Sequence, residues 1–377
     1  MTTSSEPVKQ RLYSIDVLKG LIIFLIVGLH IIVASKENMG ESPLPLQYLY
    51  LGLMSFFIIS GYFYRPERGV IANLKKRTIQ IVVATVLAGF ILTTATFVWL
   101  NLLGQSCGFE DYINATLHYL GLSYTGVDAT IQADYALCQI SIGYYFLWVM
   151  LVAFYIFYPI ADHIYKDKRK GAVAIVILLV ITLLLGEFFH WGLPFFAHLA
   201  PLAAAFMIAG VYFAQAGEIE RVERMEVRSL SYWIPLIVAV AVSVVLVYFF
   251  HPGTDFDLLD FGEYGGFSVF PYFVEAIAVF IVIYYFTAFL AKVPLLSNLF
   301  NKFGQHTLGL LLIHGGIAKM IAATMGTIIP QAFIPNTIDT VGRVAIFFAT
   351  LIISMVILHY LPRLVEMLKG KMGKKTE

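Results

Sequence analysis

Apolar residues recur along the chain in ten unbroken runs, with polar residues concentrated between them. Each run is close to the roughly 20 residues that a helix needs to cross a bilayer. Barrel strands would instead alternate in polarity over about ten residues. The pattern therefore predicts an all-α polytopic membrane protein with about ten transmembrane helices. The predicted segments are 15–35, 46–64, 78–100, 143–164, 172–191, 195–214, 231–250, 268–290, 304–328 and 341–362.

Composition supports this interpretation, because 59% of the 377 residues are hydrophobic and only 13% are charged. A soluble domain carries about 25% charged residues, and its surface helices need a polar face. We interpret residues 1–365 as a single membrane domain and 366–377 as a basic cytoplasmic tail. The net charge of +1 gives no reason to expect a nucleic acid partner.

The basic residues are sorted by side of the membrane. With both termini in the cytoplasm, 22 of the 25 Lys and Arg residues fall inside, and only Lys36, Lys319 and Arg343 do not. The two longest outer loops, 101–142 and 251–267, contain eight acidic residues and no basic ones. The positive-inside rule therefore predicts that both termini of this multi-pass protein lie in the cytoplasm.

The two cysteines, Cys107 and Cys138, lie in the same predicted outer loop. Their spacing is not typical of a metal site, and no metal is expected. A disulfide is chemically allowed on that side of the membrane, and two free thiols are the alternative.

The first helix carries the most informative polar pattern. At about 100° per residue, Asp16, Lys19 and His30 share one helical face. His30 lies about 21 Å beyond Asp16 by helical rise, in the outer half of the membrane. Ionisable groups at this depth suggest function, and histidine suits proton transfer near neutral pH. The alternative is a histidine that hydrogen-bonds to a neighbouring helix near the outer boundary.

Other ionisable residues lie at similar depth, namely Glu187, His190, His198, Glu275 and His314. Glu275 and His314 are the better candidates for a catalytic role, because they lie deeper in their helices. The alternative for each is an interfacial or packing residue.

A basic cluster follows the second segment on the inner side and consists of Arg65, Arg68, Lys75, Lys76 and Arg77. Such a cluster can bind a phosphorylated ligand, with arginines acting as bidentate donors. The alternative is ordinary membrane anchoring or contact with anionic lipids. A second charged inner segment, 218–228, is interpreted as a short solvated helix.

The residues Arg11, Asp16, Lys19, Gly20 and His30 resemble the first-helix signature of the acyltransferase-3 family. These are membrane-embedded O-acyltransferases that modify cell-envelope sugars. Looser resemblances lie at 56–62, at Arg65 with Arg68, at 154–159 and at 308–314.

Two departures from the family pattern resemble its fucose O-acetylase-like branch. Lys19 stands where many members have arginine. Leu151 and Val152 stand where many have acidic residues.

The resemblance implies an acyl-CoA donor, usually acetyl-CoA, that arrives from the cytoplasm, and no permanently bound cofactor. The acceptor is expected to be a hydroxyl of a cell-envelope glycan or a lipid-linked sugar. The resemblance also implies that the protein lies in a bacterial plasma membrane. His30 would act as general base or as a transient acyl carrier, and Glu275 or Glu187 would orient its ring. The candidate catalytic residues are His30, Asp16, Glu275 and His314. The candidate donor-binding residues are Arg11, Lys19, Arg65, Arg68, Lys75, Lys76 and Arg77.

A proton-coupled transporter or flippase for an anionic or glycan substrate is the competing interpretation, since intramembrane His and Glu also suit that role. Carriers often show repeated halves, and the sequence has no convincing internal repeat.

Overall fold

The computed structural model describes residues 13–28, 30–31, 52–104, 107–120, 122, 144–188, 193–226, 229–250, 269–328 and 336–373. These residues form thirteen α-helices and three short 3₁₀ turns, and they contain no strand. The α-helices are α1 Tyr13–Gly28, α2 Ser55–Tyr62, α3 Val70–Leu102, α4 Phe109–Tyr119, α5 Tyr144–Lys166, α6 Lys168–Phe188, α7 Ala200–Ala216, α8 Glu218–Arg224, α9 Leu230–Phe250, α10 Val269–Leu290, α11 Pro294–Gln305, α12 Thr307–Ile328 and α13 Asn336–Gly373. The 3₁₀ turns are Gly52–Met54, Pro66–Arg68 and Pro194–Leu199.

The all-α polytopic architecture predicted from the apolar runs is confirmed. Seven of the described helices are long and apolar enough to cross a membrane, and all seven coincide with predicted segments. Two shorter apolar helices, Gly52–Tyr62 and Leu230–Leu246, lie in two further segments. The remaining segment contains α1, whose described part has 16 residues. The sidedness of these helices stays a prediction from charge.

The last helix extends beyond the predicted end of the membrane domain. It continues without a break to Gly373, so residues 366–373 are part of the final helix. The boundary at residue 365 between the membrane domain and the basic tail is not marked by a break in this helix and stays a prediction.

Two glycine pairs let helix backbones touch. A Cβ on Gly20 would lie 1.7 Å from the carbonyl oxygen of Phe300, and one on Gly304 would lie 1.7 Å from that of Asp16. These contacts fix α1 against α11. The same arrangement joins α2 to α7, where a Cβ on Gly61 would lie 1.8 Å from the carbonyl oxygen of Met207 and one on Gly210 would lie 1.9 Å from that of Ile58.

The charged segment 218–228 was expected to be a short solvated helix, and this was wrong for one face of α8. Its apolar residues Ile219 and Val222 are each only 1% exposed. The Tyr62 hydroxyl donates to Glu220 over 2.7 Å, and the Ser14 hydroxyl donates to Glu223. The sequence shows alternating charge, but it does not show that two of the carboxylates face tyrosine and serine partners on other helices.

Cys107 is disulfide-bonded, which favours the bridged alternative. Its one possible partner in the sequence, Cys138, lies outside the described residues. We expect a membrane-impermeant maleimide, applied to intact cells, to label the protein only after reduction. Labelling without reductant would contradict the bridge, and no labelling after reduction would contradict the outer placement of this loop.

Candidate active site

Two histidines from different helices meet inside the bundle. His30 Nδ1 lies 2.9 Å from His314 Nε2, and the two rings are nearly parallel, with centroids 5.2 Å apart. On its other side, His314 Nδ1 lies 2.8 Å from the carbonyl oxygen of Leu310, one turn earlier in α12. Both sequence-predicted histidines therefore belong to one site, and His314 is the ring partner of His30.

The hydrogen bonds determine where the protons lie. A carbonyl oxygen can only accept, so His314 Nδ1 must carry a proton and donate it to Leu310. In the neutral ring, His314 Nε2 is then an acceptor, and His30 Nδ1 must donate to it. The lone pair of the His30 ring is therefore on its Nε2 atom. A ring lone pair is the group with which a histidine acts as a general base or a nucleophile.

The surroundings of the pair are apolar on the α12 side. His314 is only 1% exposed, and its neighbours Leu310 and Leu311 are buried as well. His30 is half-buried and lies just beyond α1, in a π-helical stretch with Ile31. Single π-helical turns often occur at functional sites. A low dielectric strengthens the hydrogen bonds within such a site.

Asp16 and Lys19 form an ion pair at the predicted inner end of α1. Lys19 Nζ lies 3.0 Å from Asp16 Oδ1, and the Asp16 side chain is only 3% exposed. The Lys19 ammonium also lies 6.0 Å from the centroid of the Phe63 ring, which connects α1 to the basic cluster. The predicted shared face is thus confirmed for these two residues. Arg11 lies outside the described residues.

The basic cluster surrounds the start of α3. Arg65 is half-buried, whereas Arg68, Lys75 and Lys76 are exposed. Within the described ranges, no carboxylate pairs with any of these four residues. The first turn of α3 adds backbone amides, which favour anions. Arg77 differs, because its guanidinium lies 5.6 Å from the centroid of the Phe154 ring.

Tyr64 anchors the segment that carries Arg65. Its hydroxyl donates to Asp162 near the end of α5. The bond therefore holds the arginine-bearing turn against α5, a link that the sequence did not reveal.

Glu275 is buried, but the structure does not bring it to the histidine pair. It is only 4% exposed, and its Oε1 atom has no hydrogen-bond partner in the part of the chain that the structure describes. Ser14 and Tyr284 lie at one level, because both hydrogen-bond to α8. Helical rise then places Glu275 about 13 Å and His30 about 24 Å outward of that level. Its catalytic role stays a prediction.

The remaining candidates have structural partners or lie outside the described side chains. His198 is buried, and its Nδ1 accepts a hydrogen bond from the backbone N–H of Leu193, which stabilises the turn before α7. The side chain of Glu187 and all of His190 are outside the described residues.

The face of α1 between the ion pair and the histidines is closed. Ile23, Ile26 and Val27 lie along it and are at most 4% exposed. A small apolar cleft between α2, α5 and α7, lined by Met54, Phe57 and Phe146 among others, contains none of the candidate residues. A ligand that runs along α1 therefore requires these packed side chains to move.

Comparison with known families identifies the protein class. The sequence model of the acyltransferase-3 family, described as an acyltransferase domain, matches residues 12–359. The chain belongs to this family. Comparisons with curated proteins and with solved structures give no significant match. The protein is therefore a multi-pass membrane acyltransferase that transfers groups other than aminoacyl groups. Its assignment to the fucose O-acetylase-like branch stays a prediction.

Proposed function

We propose that this acyltransferase moves an acetyl group from cytoplasmic acetyl-CoA to a hydroxyl of a cell-envelope glycan or glycolipid in a bacterial plasma membrane. The observation that carries the proposal is the hydrogen-bonded chain from His30 through His314 to the Leu310 carbonyl. These hydrogen bonds make Nε2 the atom of His30 that can accept a proton from an attacking hydroxyl. An acyltransferase needs such a group, because a neutral sugar hydroxyl is a weak nucleophile.

In the proposed reaction, the acceptor hydroxyl gives its proton to His30 Nε2 as its oxygen attacks the thioester carbonyl carbon. The carbon–sulfur bond then breaks, and the leaving CoA thiolate takes the proton from His30. The product is the ester of the acceptor together with free CoA. While His30 is protonated, its Nδ1 still donates to His314, which stabilises the imidazolium.

The basic cluster is the proposed site for the phosphates of the donor. Arg65, Arg68, Lys75 and Lys76 are all without carboxylate partners among the described residues, so their charges are available to an anion. Asp16 balances the charge of Lys19. We therefore assign Lys19 to the wall of the path that the acyl-bearing arm of the donor follows along α1, rather than to the phosphate site. Arg77 packs on Phe154 and is assigned an anchoring role.

A short acyl group suits the packing beside α1. The side chains between the inner ion pair and His30 are almost completely buried, so little room exists for a long chain. This supports acetyl over a fatty acyl group. The expected position of His30 in the outer half of the membrane supports an acceptor that arrives from the outer side.

The test of the function is acetyl-CoA consumption by the purified protein in nanodiscs, with lipid-linked and free glycans as acceptors. We expect CoA release that depends on the acceptor, together with transfer of label from acetyl-CoA to the glycan. Glycan movement across the membrane without any turnover of acyl-CoA would contradict the proposal and favour a transporter.

Removing the arginines of the cluster should weaken donor binding. Arg65→Ala and Arg68→Ala are each expected to raise the KM for acetyl-CoA about 10- to 100-fold, because each removes charge-assisted hydrogen bonds worth about 1.5–3 kcal/mol. Turnover at saturating donor should change little. Arg224→Ala is the matched control, since Arg224 is an exposed inner arginine on α8. An unchanged KM in both cluster variants would mean that the cluster serves only as a membrane anchor.

A further inference from the structure

Some buried hydroxyls in the membrane helices of this protein bond to their own helix. The hydroxyl of Thr182 donates to the carbonyl of Leu178, and that of Thr287 donates to Ile283, over 2.9 and 2.7 Å. Bonding of this kind to the carbonyl one turn earlier is the ordinary way to satisfy a serine or threonine inside a helix. These hydroxyls need no further partner.

Thr350 and Ser354 on α13 lack such a bond. Both residues are 0% exposed, and neither hydroxyl has a hydrogen-bond partner among the described residues. A buried hydroxyl without a partner is destabilising, and most buried polar groups in folded proteins are satisfied. The two residues are four positions apart and therefore project from the same side of the helix.

That side of α13 faces the helices that carry the histidine pair. The ring of Phe347 approaches Gly28 of α1, where a Cβ would lie 3.5 Å away. The side chain of Leu358 approaches Gly309 of α12. Ser354 lies between these two contact points and within about 40° of both directions on the helical wheel. It therefore points into the groove between α1 and α12.

Helical register places these hydroxyls at the depth of the histidines. His314 lies five residues beyond Gly309, about 7.5 Å by helical rise. Ser354 lies four residues before Leu358, about 6 Å, and α13 runs in the opposite direction to α12. Thr350 lies one further turn outward. Both hydroxyls thus lie close to the level of His314.

We infer that Thr350 and Ser354 donate hydrogen bonds to the carbonyl oxygen of the acyl group during transfer. The inference rests on the proposed acyltransfer at His30. When the acceptor oxygen bonds to the thioester carbon, the carbonyl electron pair moves onto oxygen, and the two hydroxyls bind the resulting oxyanion. When the carbon–sulfur bond breaks, the carbonyl re-forms and the CoA thiolate leaves with the proton held on His30. Donors aimed at such an oxygen stabilise the transition state more than the ground state.

Two other unsatisfied threonines provide a comparison. The hydroxyls of Thr85 and Thr96 on α3 are also buried without a partner in the described part of the chain. Thr96 lines a small space together with Asp111 and Tyr112, at the contact between α3 and α4. An unpaired hydroxyl there has no relation to the histidines, so it is a matched control for the effect of burial alone.

The experiment measures steady-state kinetics and thermal stability of Thr350→Val and Ser354→Ala in nanodiscs. We expect each to lower kcat by about 10- to 100-fold, at or below the range for loss of one oxyanion donor, with KM for acetyl-CoA almost unchanged. The melting temperature should stay the same or rise, because an unsatisfied buried hydroxyl is removed. Thr350→Ser and Ser354→Thr should retain most of the activity.

The controls are Thr96→Val, which removes an unpaired hydroxyl elsewhere, and Thr287→Val, which removes a satisfied one. Neither should alter kcat by more than about twofold. If Thr350→Val and Ser354→Ala keep wild-type kcat while His30→Ala is inactive, the oxyanion role is wrong and the proposed function stands. If the wild-type protein shows no acyl-CoA turnover with any acceptor, both proposals fail. If Thr350→Val does not fold, the other two variants test the proposal. Ser354→Ala should still lower kcat, and Thr350→Ser should retain most of it; a wild-type kcat in Ser354→Ala would then contradict the oxyanion role.

Discussion

His30→Ala is expected to lower the rate of acetyl transfer about 10²- to 10⁴-fold, which is the range for loss of a positioned general base. If the imidazole itself carries the acetyl group, transfer should stop completely. Affinity for acetyl-CoA should change little, because His30 lies about 16 Å by helical rise from Lys19 at the inner end of α1, on the side of the basic cluster. The measurement is acetyl-CoA binding and turnover by the same nanodisc preparation.

The same variant separates the two roles open to His30. A carrier releases CoA from acetyl-CoA before any acceptor is added, in a burst of up to one equivalent per protein. A general base releases CoA only when an acceptor is present. A burst in the wild type that His30→Ala removes would therefore indicate an acetyl-histidine intermediate.

The control for this substitution is His359→Ala. His359 lies on α13, is exposed, and packs against the ring of Tyr360 rather than against the histidine pair. It should retain wild-type turnover. If His30→Ala is expressed normally and keeps full turnover, His30 is not catalytic, and the chemistry must lie elsewhere in the bundle.

The sequence predicted the elements of this fold well, because apolar length is a strong signal for a membrane helix. It also predicted that Asp16 and Lys19 share a face, since that requires only the period of a single helix. Their ion pair follows directly from the three-residue spacing.

The sequence could not predict which helices are neighbours. His30 and His314 are 284 positions apart, and a helical wheel gives the face of each residue but not the helix that it meets. For that reason the sequence suggested Glu275 or Glu187 as the residue that orients His30, and gave His314 only as a separate catalytic candidate. Only the packing of α1 against α11 and α12, set partly by Gly20 and Gly304, distinguishes between them.

Part of the proton chain was nevertheless present in the local sequence. A histidine in a helix can donate to the carbonyl four residues earlier, as His314 does to Leu310. This local bond fixes the tautomer of His314 before any tertiary contact is considered. The unsatisfied hydroxyls of Thr350 and Ser354 had no such local signal, because any serine or threonine inside a helix can instead bond to the carbonyl one turn earlier.

The second large effect is expected at His314. His314→Phe removes the acceptor for His30 Nδ1–H, so the ring of His30 loses both its orientation and the bond that stabilises its protonated form. We expect kcat to fall about 10²- to 10³-fold. Loss of the charged group that orients the histidine of a hydrolytic triad lowers kcat by roughly 10⁴-fold, and the effect here should be smaller because His314 is neutral. His314→Gln should retain more activity, since its amide oxygen can accept the same hydrogen bond.

A double substitution shows whether the two histidines act as a unit. Residues that serve one step are strongly non-additive, so His30→Ala with His314→Phe should be no slower than His30→Ala alone. Residues that act independently would instead multiply their effects. A multiplied loss, or a Gln variant as slow as the Phe variant, would mean that His314 contributes packing only. If His314→Phe matches His30→Ala and the double variant adds nothing, the hydrogen bond between the two rings is what prepares His30 for proton transfer.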